Sequence, residues 1–348
     1  MKTTIDLILG DAIDAKVFPC AAVAAVVNGT KNVAVKGTYT YDTDSTAVTE
    51  QSVFDVASIT KAIPVSCLML KLIEQGDCGL TDQLITYVPE FTGAYREKIT
   101  IHHLLTQTLQ FNFRLSDCKV FPAEEIMKRI LAADLQCEPG TTFSYANATS
   151  ILLGMVIERC TGKDLETLAQ HCFFEPLAMK STSFRPEKFA SELFVPAEND
   201  NWRGRVVRGE VHDESAWALR PKIVGSAGLF STITDLSNFL EMLVHDGEWN
   251  GTRFFSTRTM ALMHTNQLPQ SWNDQTGLGW ELNQKESMGV FEHADIFGKT
   301  GFTGCSIAVN PSKKAGYILL SNHLYPQRRA NRCEINAVRR KLAGILLV

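Results

Sequence analysis

The feature that most constrains this chain is where its two kinds of apolar spacing fall. Runs with strand character lie near both ends of the 348 residues, and three- and four-residue apolar steps fill the middle. That order predicts an α+β protein in which both ends build one antiparallel sheet, interrupted by a helical insertion. At the front, Ala21 to Val27 and Val33 to Tyr39 are β-rich runs separated by Asn28-Gly29, the strongest short hairpin signal. At the back, Cys305 to Val309 and Gly316 to Ser321 flank Asn310-Pro311 and read as a second hairpin. Ile5, Ile8, Leu9, Ala12 and Ile13 predict a first helix over residues 4–15. A helix is predicted to run from Ser58, with Ile63, Cys67, Leu70 and Ile73 on one face and Gly76 as its stop. Further helices are predicted at 100–109, 123–133, 148–161 and 233–246, with a long irregular connection over 185–222. The expected division is residues 1–57 plus 226–348 as a sheet domain flanked by helices, and 58–225 as a mostly helical domain. The cleft between them is the expected active site.

Composition narrows the function classes. With 45% hydrophobic and 21% charged residues, the chain has the material for an ordinary ordered core. A net charge of -4 with no basic stripe argues against nucleic acid as a partner. The densest basic run, Arg328, Arg329, Arg332, Arg339, Arg340 and Lys341, reads as the solvated face of a terminal helix. Asp6, Asp11 and Asp14 interrupt any secretion-signal core, and no stretch reaches the roughly 18 apolar residues of a membrane span. The expectation is therefore a cytoplasmic protein without membrane association. Nine cysteines, with no CxxC pair, predict reduced and buried thiols.

Three short motifs carry chemistry, and each has a plain alternative. Ser58-Ile59-Thr60-Lys61 places an amine on the same helical face as a hydroxyl, with Cβ atoms about 5–6 Å apart. A serine hydroxyl is a weak nucleophile unless a neighbour takes its proton, and a lysine whose pKa burial lowers can do so. With 20 serines and 18 lysines, however, about one SxxK is expected by chance. Ser116 with Lys119 is a second match, and Ser58 also suits a helix N-cap. Tyr145-Ala146-Asn147 places a phenol just before a helix, where nearby ammonium groups would let it relay a proton, or where it simply packs in a loop. Lys299-Thr300-Gly301, followed by Phe302-Thr303-Gly304 and a strand, reads either as a fixed charge beside a ligand or as a turn with a solvated lysine.

In this order and on these elements, SxxK, YxN and KTG resemble the serine β-lactamase and penicillin-binding-protein superfamily. YxN in place of SDN is similar to the class C branch, with its D-alanyl-D-alanine peptidases and esterases. The resemblance runs from about residue 15 to about residue 325, including Phe54 to Lys61, Ile99 to Thr106, Phe143 to Leu153 and Gly225 to Leu243. It implies a β-lactamase/transpeptidase-like fold and hydrolysis of an ester, amide or D-amino-acid peptide through an acyl-enzyme. The alternatives are a true class C β-lactamase or a penicillin-binding sensor that acylates and stalls. Carried over, Ser58 would be the nucleophile, and Lys61 and Tyr145 the proton-transfer pair. Asn147 would bond Lys61 and substrate, Lys299 would set the local field, and Thr300, Gly301 and Phe302 would line the substrate site. The oxyanion donors would be the N–H groups of Ser58 and Phe302. Gln107-Thr108-Leu109-Gln110 departs from the family's usual His-Thr-Ser-Gly-like run, and many relatives carry His where this chain has Lys299. Neither a cofactor nor a metal is expected, since adjacent His102 and His103 cannot face one ion from a helix and no HExxH occurs. His293 reads as a surface histidine that could also line the cleft. The expected partner is a small molecule or short peptide, bound by a monomer or weak homo-oligomer.

Overall fold

Residues 1–291 and 295–348 are described in the computed structural model. The apolar run at the front forms β1 (Cys20–Val27). Its period-two alternation sends Cys20, Ala22, Ala24 and Val26 to a large apolar cluster and Ala21, Val23 and Ala25 to a smaller one on the opposite face. Both faces are covered, so the strand reads as an unbroken hydrophobic run. β2 (Thr30–Gly37) pairs antiparallel with it. The turn between them is Asn28-Gly29, with φ of 52° and 69°, the left-handed pair a two-residue hairpin turn requires.

The back of the chain supplies β3 (Glu281–Leu282), β4 (Phe297–Thr300), β5 (Ser306–Asn310) and β6 (Ala315–Ser321). Among the described residues the sheet runs β2-β1-β6-β5-β4-β3, with every neighbour antiparallel. The two ends of the chain meet where β1 pairs with β6, from Ala21 opposite Ser321 to Val26 opposite Gly316. The second predicted hairpin is β5–β6, its turn closed by Asn310, whose side chain accepts from the Lys313 N–H.

The helices that pack the sheet and the site are α1 (Lys2–Asp14), α2 (Cys67–Gln75), α3 (Ile101–Thr106), α4 (Ala123–Leu131), α5 (Asn147–Thr161), α6 (Ile233–Val244) and α7 (Cys333–Leu346). α1 and α7 cover one face of the sheet, packing Ile5, Leu9, Leu342 and Leu346 around Val23 and Leu319. α6 covers the other with Leu236, Phe239 and Leu240. Burying side chains of this size stabilises by about 1.5–3 kcal/mol each. The inner cluster continues into the helical middle of the chain through Leu68 and Leu70 of α2, Leu104 of α3, Ile130 of α4 and Leu152 of α5. Gly76 ends α2 in a left-handed cap at φ 83°, as predicted.

Several expectations are corrected. The helix predicted to start at Ser58 is instead a 3-10 turn (Ala57–Lys61), a wider turn (Ala62–Ser66) and only then α2. Pro64 disfavours helical backbone in the residue before it, and Ile63 accordingly adopts φ -111°, ψ 109°. The stretch 185–222 holds a short hairpin of Glu198–Asp200 with Arg205–Val207 and a helical turn at Glu214–Ala218. Asp200 and Asp213 nucleate these by accepting the Trp202 and Ala216 N–H groups. Within the basic run, Arg339 is not solvated: it is 1% exposed, beneath the sheet. All nine cysteines are free thiols, but only five are buried; Cys137, Cys160 and Cys172 are half-buried and Cys333 is exposed. No helix among the described residues is long and apolar enough to cross a membrane.

Candidate active site

A two-residue ribbon, Phe54–Asp55 against Phe230–Ser231, delivers the chain to Ser58. The residue before Ser58, Ala57, has φ 49°, a left-handed conformation that costs a non-glycine residue about 1–3 kcal/mol. Asp55 holds the turn: Oδ1 accepts Ala57 N–H at 2.7 Å, Oδ2 accepts His212 N–H at 2.6 Å, and the main-chain oxygen accepts the Thr303 hydroxyl at 2.9 Å. Burial pushes the Asp55 carboxyl up, opposed by His212 and the Ala57 N–H.

In a 3-10 turn, side chains three residues apart eclipse, which places Lys61 directly beside Ser58. Lys61 Nζ donates to Ser58 Oγ at 3.0 Å and to the Ser226 main-chain oxygen at 2.6 Å. Lys61 is only 3% exposed.

Tyr145 closes the group. Nζ of Lys61 and Nζ of Lys299 stand 5.1 and 4.6 Å from its ring centroid. Tyr145 as a whole is 45% exposed, with its phenol facing Ser58. Burial alone would raise the phenol, but the Lys61 and Lys299 charges and the Ser58 bond outweigh it and hold the group below its ordinary value. Lys299, on β4 and 4% exposed, pairs with Glu281 Oε1 at 2.7 Å. Burial opposes its charge, yet Glu281 and Tyr145 raise it above the ordinary lysine value. Thr300 Oγ1 reaches the other Glu281 oxygen at 3.4 Å.

Gly301 lies where a Cβ would come within 2.5 Å of the Val56 carbonyl oxygen, so only glycine lets β4 and its turn approach the nucleophile turn this closely. Beyond it, the Phe302 ring stacks on His212 with centroids 5.8 Å apart. Among the described residues neither the Ser58 nor the Phe302 N–H donates to a main-chain acceptor. Beside Tyr145 and Asn147 opens a groove of about 810 Å³, with Gln110, Asn112, Arg114, Asp117 and Gln136 in its walls.

The sequence of the whole chain agrees with this geometry: the Beta-lactamase family profile matches residues 6–339. The chain belongs to the beta-lactamase family. As a member of it, the protein is a serine hydrolase enzyme of the acyl-enzyme type. It is similar to a Salmonella agona protein named "Putative D-alanyl-D-alanine carboxypeptidase", 26% identical over 306 residues, 79% of this chain and 70% of that one. A solved structure from Pseudomonas syringae named as a beta-lactamase/D-alanine carboxypeptidase shares the fold, with TM-score 0.76 and 20% identity over 98% of this chain and 97% of that one. The hydrolase EstCE1, described as having promiscuous acyltransferase activity, shares it equally, with TM-score 0.76 and 19% identity over 97% of each chain.

In this beta-lactamase-family enzyme, Ser58, Lys61, Tyr145, Lys299 and Thr300 come together, and Gly301 and Phe302 form the adjoining turn. The bond expected between Asn147 and Lys61 is absent: the Asn147 amide donates to Asp213 Oδ2 at 3.0 Å, and the Ser226 oxygen takes its place on the lysine. The second SxxK match stands apart from the cluster, since Ser116 is exposed and Lys119 pairs with Glu214 at 2.9 Å. His103 closes a capping box with Thr100 at the start of α3. His293 lies outside the described residues.

Two contributors had no motif to announce them. Glu281 is brought in because β3 pairs with β4, setting it opposite Gly298. Gln107, where the family's usual run is lost, accepts Ala146 N–H at 3.0 Å and donates to Ser150 Oγ at 3.2 Å, tying the Tyr145 loop to the end of α3.

Proposed function

We propose that Ser58 is the acylated residue and that Tyr145 and Lys61 carry its proton. The observation that carries this reading is the 3.0 Å contact of Lys61 Nζ with Ser58 Oγ beneath a phenol flanked by two ammonium groups. Tyr145, as phenolate, takes the Ser58 proton while Oγ bonds to the substrate carbonyl carbon. The Ser58 and Phe302 N–H groups hold the resulting oxyanion, each donor of this kind being worth about 3–4 kcal/mol in the transition state. The proton then passes to the leaving nitrogen or oxygen as its bond to carbon breaks, and water repeats the sequence on the acyl-enzyme. Two lobes, 1–57 with 226–348 and 58–225, meet here: Lys61 and Tyr145 come from one, Lys299, Glu281 and Ser226 from the other.

The substrate we infer is a short polar peptide ending in a D-amino acid, or a small ester of similar shape. The polar groove beside Tyr145 suits a peptide-like acyl group better than a fatty chain, and the Salmonella relatives' name agrees. The presence of both Lys61 and Tyr145 weighs against a sensor that only acylates. Free thiols throughout the chain support a reducing compartment, the cytoplasm. A screen of p-nitrophenyl esters, nitrocefin and D-alanyl peptides with wild type and Ser58→Ala tests the assignment. Turnover and fluorophosphonate adducts should vanish together in the variant, and a labelled Ser58→Ala protein would refute it.

A further inference from the structure

We propose that Arg339 is a positioning residue for the oxyanion turn: from α7, beneath the sheet, its guanidinium grips the Gly301 and Cys305 carbonyls and so aims the Phe302 N–H at the carbonyl bound over Ser58. The proposal rests on the assignment of Ser58 and Phe302 as oxyanion donors.

Nη2 of Arg339 donates to Gly301 O at 3.2 Å and to Cys305 O at 2.9 Å. These two oxygens close the turn that carries Phe302, since Gly301 N–H donates to Cys305 O at 2.8 Å and Gly304 N–H donates to Gly301 O at 3.2 Å. The Gly301 carbonyl and the Phe302 N–H belong to one peptide unit. A trans peptide is planar with C=O and N–H pointing opposite ways, so holding the oxygen from behind fixes where the N–H points in front. A cation on that oxygen also polarises the peptide and strengthens its N–H as a donor.

The arrangement is not one that packing alone would select. Arg339 is 1% exposed, and among the described residues it has no carboxylate partner and its Nε has no acceptor. A methionine of similar volume would avoid burying that charge. The guanidinium is itself held by Asn336, whose Oδ1 accepts from Nη1 at 2.9 Å, while the Tyr317 hydroxyl ties the helix backbone to the sheet by donating to the Arg339 main-chain oxygen at 3.0 Å. Burial draws the group down to about 10, so it is charged at neutral pH.

Arg339→Lys and Arg339→Met are compared with wild type and Ser58→Ala on a p-nitrophenyl ester. Lysine keeps the charge, but its side chain is one bond shorter, so its amine falls short of the two carbonyls that Nη2 bridges. A misaligned donor predicts a fall in kcat of about 10-fold for Lys and about 100-fold for Met, with KM little changed. The affinity of an arylboronic acid, which adds to Ser58 as a tetrahedral adduct, should fall by the same factor. The carbonyl stretch of the acyl-enzyme should move to higher wavenumber. A folded Arg339→Lys with kcat and boronate affinity within about twofold of wild type would overturn the proposal. If neither Arg339 variant folds, Asn336→Ala, which removes the acceptor of Nη1, decides: a kcat loss at constant KM supports the proposal, and unchanged kinetics overturns it. Wild-type turnover that survives Ser58→Ala would instead defeat the assignment of Ser58 itself.

Discussion

The nucleophile turn at residues 54–66 and the strand and turn at 297–305 lie back to back, with Gly301 against the Val56 carbonyl, yet they are held by different means. The first is irregular: a left-handed Ala57, a 3-10 turn and an extended Ile63 leave few repeating backbone bonds. Buried side chains do the holding, with Asp55 on two N–H groups, Thr303 on the Asp55 oxygen, and Thr60 bridging the Ala57 oxygen and the Leu229 N–H. The second is a strand paired on both edges, with β5 and β3. The difference separates two needs. A nucleophile must present one hydroxyl at a fixed angle outside any regular element, whereas a field-setting lysine needs only a rigid place to stand.

If that contrast is right, substitutions in the first region should cost chemistry and stability outright. Lys61→Met should lower kcat/KM by about 10²–10⁴-fold, the range for losing a positioned proton-transfer group, while the folded baseline by circular dichroism is retained. A decrease of less than about 10-fold would remove Lys61 from the proton path. Asp55→Asn is the next largest. An amide offers one acceptor oxygen where the carboxylate offers two, so either the Ala57 or the His212 N–H is left buried and unpaired. Urea unfolding should show a loss of about 1–3 kcal/mol. An unchanged midpoint and slope would mean that Ala57 holds its conformation without Asp55.

The contrast also explains what the sequence revealed. β1, β2, β5 and β6 were legible because local spacing and the Asn28-Gly29 and Asn310-Pro311 turns set them without help from distant residues. Ser58 with Lys61, Tyr145 and Lys299 were legible as motifs because the chemistry restricts residue types, and the spacing of three survives whether the turn is 3-10 or α. The helix expected at Ser58 failed because apolar periodicity outweighed Pro64, which forbids continuous helix there. Arg339 was placed among solvated charges because it sits in one basic run with Arg340 and Lys341, which are indeed exposed. Only the sheet packed over α7 sets its position apart. Glu281 depends on which strands pair, and Asn147's partner on where Asp213 folds back; neither is encoded locally.

The second region yields the smallest effect and the sharpest test, because there the claim concerns a field. The phenol of Tyr145 is held below its ordinary value, so the folded chain releases that proton at lower pH than the unfolded chain does. The associated stability is present above the unfolded value of about 10 and is lost as pH falls through the folded one. With Tyr145 as base, kcat/KM should rise along a limb that lies below pH 10. Lys299 lowers the phenol and Glu281 raises it, so the two residues should move this limb in opposite directions. Lys299→Met should shift it upward and reduce activity at neutral pH. Glu281→Gln should shift it downward while Lys299 remains charged, with little change at the plateau. A pH profile of kcat/KM on an uncharged ester reads both. If both variants shift the limb upward, Glu281 acts by keeping Lys299 protonated, and the sheet holds a coupled pair instead of an independent charge. If neither moves it, the limb belongs to another group and Tyr145 is not the base.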